Sequence, residues 1–228
     1  MLGLGAFAQN HCMSAFILKH RVPTKKHASP AAGPTEDLQR AIALVKHNAQ
    51  QWNLNPDRVG AVGFSSGSLM ILKAALDTRS YEALDDVDKQ VRRPDFIMLI
   101  YSAPLIDFNG GAKSLIDGMQ PTKDSPNAFV VHARDDYIPV ENALTLARLY
   151  NEADAPVECH IFDTGGHGFG ARTVADAPIT NWPRLCKSWM KDNGWLESRD
   201  RPEDHEPPDL AQLIQMRLQQ VPAPTEPK

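Results

Sequence analysis

The sequence has 228 residues, 42% hydrophobic and 23% charged, which is enough apolar material for one substantial core and is most simply one domain. A net charge of −4 with scattered basic residues excludes an electrostatic case for nucleic acid or an anionic membrane as partner. Cys12, Cys159 and Cys186 have no C-x-x-C spacing, no His/carboxylate cluster has metal-ligand spacing and no phosphate-cradling glycine motif occurs. Neither a disulfide framework nor a metal or other cofactor is therefore expected.

Strand-type and helix-type segments alternate along the chain, the pattern of an α/β fold. A strand is expected over residues 13–20. After a Lys/Pro/Ala loop, Pro34-Thr35-Glu36-Asp37 suits a helix start, and the helix is predicted to run to about Trp52 with Leu38, Ala41, Ile42, Val45 and Ala49 facing the sheet. Turn residues 53–58 precede an apolar strand ending at Phe64, and residues 68–76 are a helix-forming run.

Residues 78–94 are rich in charge and predict a surface excursion. Residues 96–101 read as a buried strand, continuously apolar as parallel strands are. Residues 102–127 form a long connection, in which Tyr101 and Leu105 are candidates for contact with a substrate's acyl group as well as for packing. A strand over 128–132, a helix over 140–152, a strand over 157–162 and a helix over 181–192 follow, the last stopped by Asn193-Gly194. Beyond Leu196 the composition turns charged and proline-rich, so residues 197–228 are predicted as a disordered tail with a short helix over 210–219.

The chemistry starts at Gly63-Phe64-Ser65-Ser66-Gly67. This G-x-S-x-G pattern between a strand and a helix is a nucleophile elbow, whose sharp turn leaves one serine exposed at the top of a sheet. Ser65 is the candidate nucleophile. Both glycines are expected to avoid a Cβ clash in the crowded turn. A serine hydroxyl needs a base, and the base needs an orienting carboxylate.

His167 lies in Thr164-Gly165-Gly166-His167-Gly168-Phe169-Gly170, a glycine loop after a strand, and is the candidate base. His132 is read as supporting a strand end and His160 as a strand residue. For the acid, Asp135 and Asp136 compete after the strand that ends at His132. Asp136 is favoured because its distance from the strand end sets where the side chain lands; Asp135 stays open as the alternative.

These segments, with Asp57-Arg58-Val59-Gly60, Arg93-Pro94-Asp95-Phe96, Pro139-Val140-Glu141-Asn142 and Trp182-Pro183, resemble the acetylxylan-esterase-like and feruloyl-esterase-like carboxylesterase branch of the α/β-hydrolases, over roughly residues 14–196. The resemblance implies a three-layer α/β-hydrolase fold with a mostly parallel sheet. It also implies Ser65, Asp136 and His167 as a triad and a short acyl group on a sugar as substrate, so the expected partner is a small-molecule or carbohydrate ester. The N–H of Ser66 is the expected oxyanion donor.

Two departures stand out. The family carries a strand and a His-Gly-Gly-Gly-type loop upstream of the segment matching residues 15–22, and this sequence lacks both, so a member shortened at its N-terminus is expected. Ser68 replaces a glycine common in relatives, which should alter packing below the nucleophile. A peptidase of the same fold, or an impaired remnant acting as a binding protein, are the alternative functions. Residues 1–8 do not form a convincing signal peptide, so a cytoplasmic location is expected, with secretion open if a segment is missing.

Overall fold

The structure, a computed structural model, describes residues 8, 13–22, 31–76, 81–171 and 177–196. The predicted tail, including the short helix over 210–219, lies outside the described residues, as does Cys12. Its sheet is built from β1 (Gly60–Phe64), β2 (Phe96–Ile100), β3 (Asn127–Ala133) and β4 (Val157–Phe162), all parallel and in the order β1-β2-β3-β4. The helices are α1 (Ala32–His47), α2 (Gly67–Leu76), α3 (Glu141–Glu152) and α4 (Trp182–Asp192).

Alternation along each strand divides the core in two. Ile97, Leu99, Ala128 and Val130 pack with Leu38 and Ile42 of α1, Ile71 and Leu72 of α2, and Leu146 and Tyr150 of α3. On the opposite face Phe96, Ile100, Phe129 and Val131 pack with Trp182, Cys186, Trp189 and Met190 of α4. Because both faces are covered, the strands can be apolar throughout, and three layers result. Burial pushes the Cys159 thiol up to about 11 and the Cys186 thiol up to about 12, so both cysteines are packing residues rather than thiolate nucleophiles.

Three local expectations need correction. The helix predicted from Pro34 to Trp52 begins earlier and stops at His47. Thr35 does not cap it; its hydroxyl donates to the Ala31 carbonyl at 2.8 Å. The stop comes from Asn48, whose side-chain amide donates to the Leu44 carbonyl at 2.8 Å and competes with further helix. Trp52 leaves the helix and stacks on Phe16 with ring centroids 5.4 Å apart.

Residues 13–20 form no strand. Side chains anchor this segment instead. Leu18 packs on the core, and the Arg21 main-chain N–H and Nε donate to the Asp37 carboxylate at 2.6 and 2.9 Å. Among the described residues, β1 is therefore an edge strand of the sheet.

Of the two roles open to Leu105, the structure shows packing, since it is fully buried in the core. Its N–H donates to Asn142 Oδ1 at 2.8 Å, which ties the connection after β2 to α3.

The glycines of the elbow are not equivalent. A Cβ on Gly63 would lie 2.8 Å from the Gly67 carbonyl carbon, Ser68 Cα and Ile71 Cδ1, whereas a Cβ on Gly67 would meet nothing within 4 Å. The clash expected at both positions exists only where β1 passes under the start of α2. Gly63→Ala is expected to cost about 2 kcal/mol or more of stability through overpacking. Gly67→Ala should be neutral or stabilising by up to about 1 kcal/mol. Thermal unfolding of both variants checks this, and equal losses would contradict it.

Candidate active site

Parallel pairing brings the carboxyl ends of all four strands to one edge of the sheet. The register aligns Phe64 with Ile100, Ile100 with Val131 and Val131 with His160. The loops that follow therefore converge, as open α/β sheets require of their ligand sites. Ser65 comes first after β1, with φ of +53°, a left-handed conformation that a non-glycine residue holds only when its surroundings enforce it.

The enforcement is visible in the hydrogen bonds. The Ser65 N–H continues the ladder to the Ile100 carbonyl at 3.0 Å, and its carbonyl accepts from the Ser68 N–H at 3.0 Å. Below it, the fully buried Ser68 hydroxyl donates to the Gly63 carbonyl at 3.0 Å. The serine that departs from the expected glycine thus ties the start of α2 to the end of β1. Ser66 is exposed and sits at the N-terminus of α2, where the helix dipole and unpaired backbone donors favour negative charge.

His167 reaches across from the loop after β4. Its Nε2 lies 2.9 Å from Ser65 Oγ, and its Nδ1 lies 2.8 and 3.0 Å from the two Asp136 carboxylate oxygens. With Nδ1–H donated to the carboxylate, Nε2 is left as acceptor for the serine hydroxyl. The Asp136 side chain is fully buried while that of His167 keeps 15% exposure. A buried carboxylate must be matched by donors, and Asp136 has a second one in the Ile138 N–H at 2.8 Å.

Asp135 is exposed, and its Oδ1 accepts the Gly166 N–H at 2.8 Å. The two aspartates therefore hold the same loop at different points, one at the imidazole and one at the backbone just before it. Spacing alone shows two adjacent acids facing a Gly-Gly-His loop and not which direction each side chain takes. The far end of the loop is tied by Trp182, whose indole N–H donates to the Gly170 carbonyl at 2.7 Å. Gly166, Gly168 and Gly170 all have positive φ, so this path suits glycine.

His132 is buried on β3 and its Nε2–H donates to the Ile138 carbonyl at 3.0 Å, which fixes the acid loop. His160 pairs with Glu158 at 2.7 Å. Two tyrosines touch the imidazole. Tyr101, 7% exposed, lies with its centroid 4.9 Å from that of His167 in a T-shaped contact and also packs on Phe64 and Phe169. Tyr137, 77% exposed, lies 4.7 Å away at 47°. For Tyr137 the one signal in the sequence is its place directly after Asp136. Among the described residues no group of His, Cys, Asp and Glu could hold a metal ion, and no helix is long and apolar enough to cross a membrane.

Comparison with known proteins agrees with this architecture. Residues 6–110 match the BD-FAE family model. An acetylxylan esterase of Xylanibacter ruminicola is 27% identical over 213 residues, covering 83% of this chain and 40% of that protein. Endo-1,4-beta-xylanase B of Butyrivibrio fibrisolvens is 25% identical over 195 residues, covering 76% of this chain and 30% of that one. The chain thus spans well under half the length of these curated relatives. The crystal structure of an acetyl ester-xyloside bifunctional hydrolase from Caldicellulosiruptor lactoaceticus superposes with a TM-score of 0.68 at 28% identity, covering 86% of this chain and 76% of that one. With its three layers and its parallel sheet, the chain has the α/β-hydrolase fold, and the proteins it is similar to include esterases of that fold.

Proposed function

We propose that the protein is a serine hydrolase that cleaves short-chain carboxylic esters, with acetyl groups on a carbohydrate as its substrates. The observation that carries the reading is the continuous relay of hydrogen bonds from Ser65 Oγ through His167 to the buried Asp136. The relatives named acetylxylan esterase and acetyl ester-xyloside hydrolase support the choice of acyl group and alcohol.

In the first step Ser65 Oγ attacks the ester carbonyl carbon while His167 Nε2 takes its proton, and Asp136 stabilises the imidazolium that forms. The Ser66 N–H, with a second donor, holds the oxyanion. The imidazolium then gives its proton to the leaving sugar oxygen, which leaves an acyl-serine. In the second step His167 takes a proton from water, the resulting hydroxide attacks the acyl carbon, and the proton returns to Ser65 as acetate departs. Tyr101 packs against the imidazole from a buried aromatic cluster and limits its rotation.

The test is a comparison of substrates. Purified protein is expected to release acetate from acetylated xylo-oligosaccharides and to hydrolyse p-nitrophenyl acetate, with little turnover of peptide p-nitroanilides. Peptide cleavage that outpaces ester cleavage would replace the esterase reading with a peptidase. Folded protein inert on all three would mean a binding protein.

A further inference from the structure

We propose that Tyr137 is the platform on which the sugar ring bearing the scissile ester rests, an inference that builds on the carbohydrate-ester reading above. The chemistry of the leaving group places the sugar. For His167 Nε2 to protonate the departing oxygen, that oxygen must come within hydrogen-bond reach of the imidazole, so the carbons attached to it lie within a few ångströms of the same ring. The Tyr137 ring occupies that neighbourhood, with its centroid 4.7 Å from that of His167.

The contrast with Tyr101 separates the two roles. Tyr101 touches the imidazole from inside the aromatic cluster and is 7% exposed. Tyr137 touches it from outside and is 77% exposed. A pyranose offers an apolar C–H face and a polar hydroxyl rim, which matches the electron-rich face of a tyrosine ring flanked by water. Covering such a ring removes apolar surface from solvent, and tyrosine loses little conformational freedom in doing so.

The turn that presents the ring is rigid on both sides. The Asp136 N–H donates to the Ala133 carbonyl at 3.2 Å, the Ile138 N–H donates to Asp136 Oδ1 at 2.8 Å, and the Ile138 carbonyl accepts from His132 at 3.0 Å. A ring held this way is preorganised, so less ordering is needed when a sugar lands.

The experiment compares wild type, Tyr137→Ala, Tyr137→Phe and Tyr137→Trp on an acetylated xylo-oligosaccharide and on ethyl acetate, which has no ring to stack, with thermal unfolding of each. In Tyr137→Ala the ratio of kcat/KM for the oligosaccharide to that for ethyl acetate is expected to fall about tenfold, mostly through KM. Tyr137→Phe and Tyr137→Trp should keep the ratio. An equal fall on both esters would overturn the platform and make Tyr137 a positioning residue for the imidazole, leaving the carbohydrate reading intact. A wild type that cleaves ethyl acetate but not the oligosaccharide would overturn both.

Discussion

Ser65→Ala is expected to lower kcat for p-nitrophenyl acetate by about 10⁴-fold or more, with thermal unfolding close to that of the wild type. In the proposed mechanism the serine is the only group in the relay that forms a covalent bond to the acyl carbon. Its removal would leave His167 to activate water directly, which should give a small residual rate. Stability should change little because alanine must adopt the same φ of +53° and the bonds that fix the elbow come from the main chain and from Ser68. Steady-state kinetics beside the unfolding curve checks both halves of the expectation. A variant that keeps more than about a tenth of the rate would remove Ser65 from the mechanism.

The second large effect separates the two adjacent aspartates. Asp136→Asn is expected to cost about 10⁴-fold in kcat. An amide can turn its NH₂ toward His167 Nδ1, which then becomes an acceptor and puts the proton on Nε2, where it cannot take one from serine. Asp135→Asn should cost less than about tenfold, since the asparagine carbonyl can still accept the Gly166 N–H. Asp135→Ala should fall between these, because the loop carrying His167 loses an anchor while the relay survives. The reverse ranking, with Asp135→Asn the worse variant, would transfer the acid role to Asp135 and contradict the hydrogen bonds seen at Asp136.

Much of this architecture was legible in the sequence because it is local. The strand over residues 157–162 was read with the bounds it has, and the ends of the later helices shifted by about one residue, because apolar runs and glycine stops carry those signals within a few positions. The residues at 13–20 have the composition of a strand and are not one. A strand exists only by pairing, and no local pattern reports whether a neighbour is present. Gly67 illustrates a different limit, since a motif glycine suggests a clash that only the path of the neighbouring backbone can decide, and that path crowds Gly63 alone.

At the site, spacing and context single out Ser65 and His167 as candidates, and the structure places their side chains 2.9 Å apart. Directions were not legible. Asp135 and Asp136 differ by one position and point to opposite tasks, and Tyr101 and Tyr137 both reach the imidazole from distant parts of the chain with opposite exposure. Such pairs are set by how loops from different strands meet, which becomes visible only once the sheet has put their ends together.

As a nucleophile activated by His167, Ser65 should react with serine-directed covalent reagents. Incubation with a fluorophosphonate followed by intact mass and peptide mapping should give one adduct, on Ser65, formed quickly in the wild type, absent in Ser65→Ala and strongly slowed in His167→Ala. Folded wild-type protein that acquires no adduct, or one that persists in Ser65→Ala, would contradict the account.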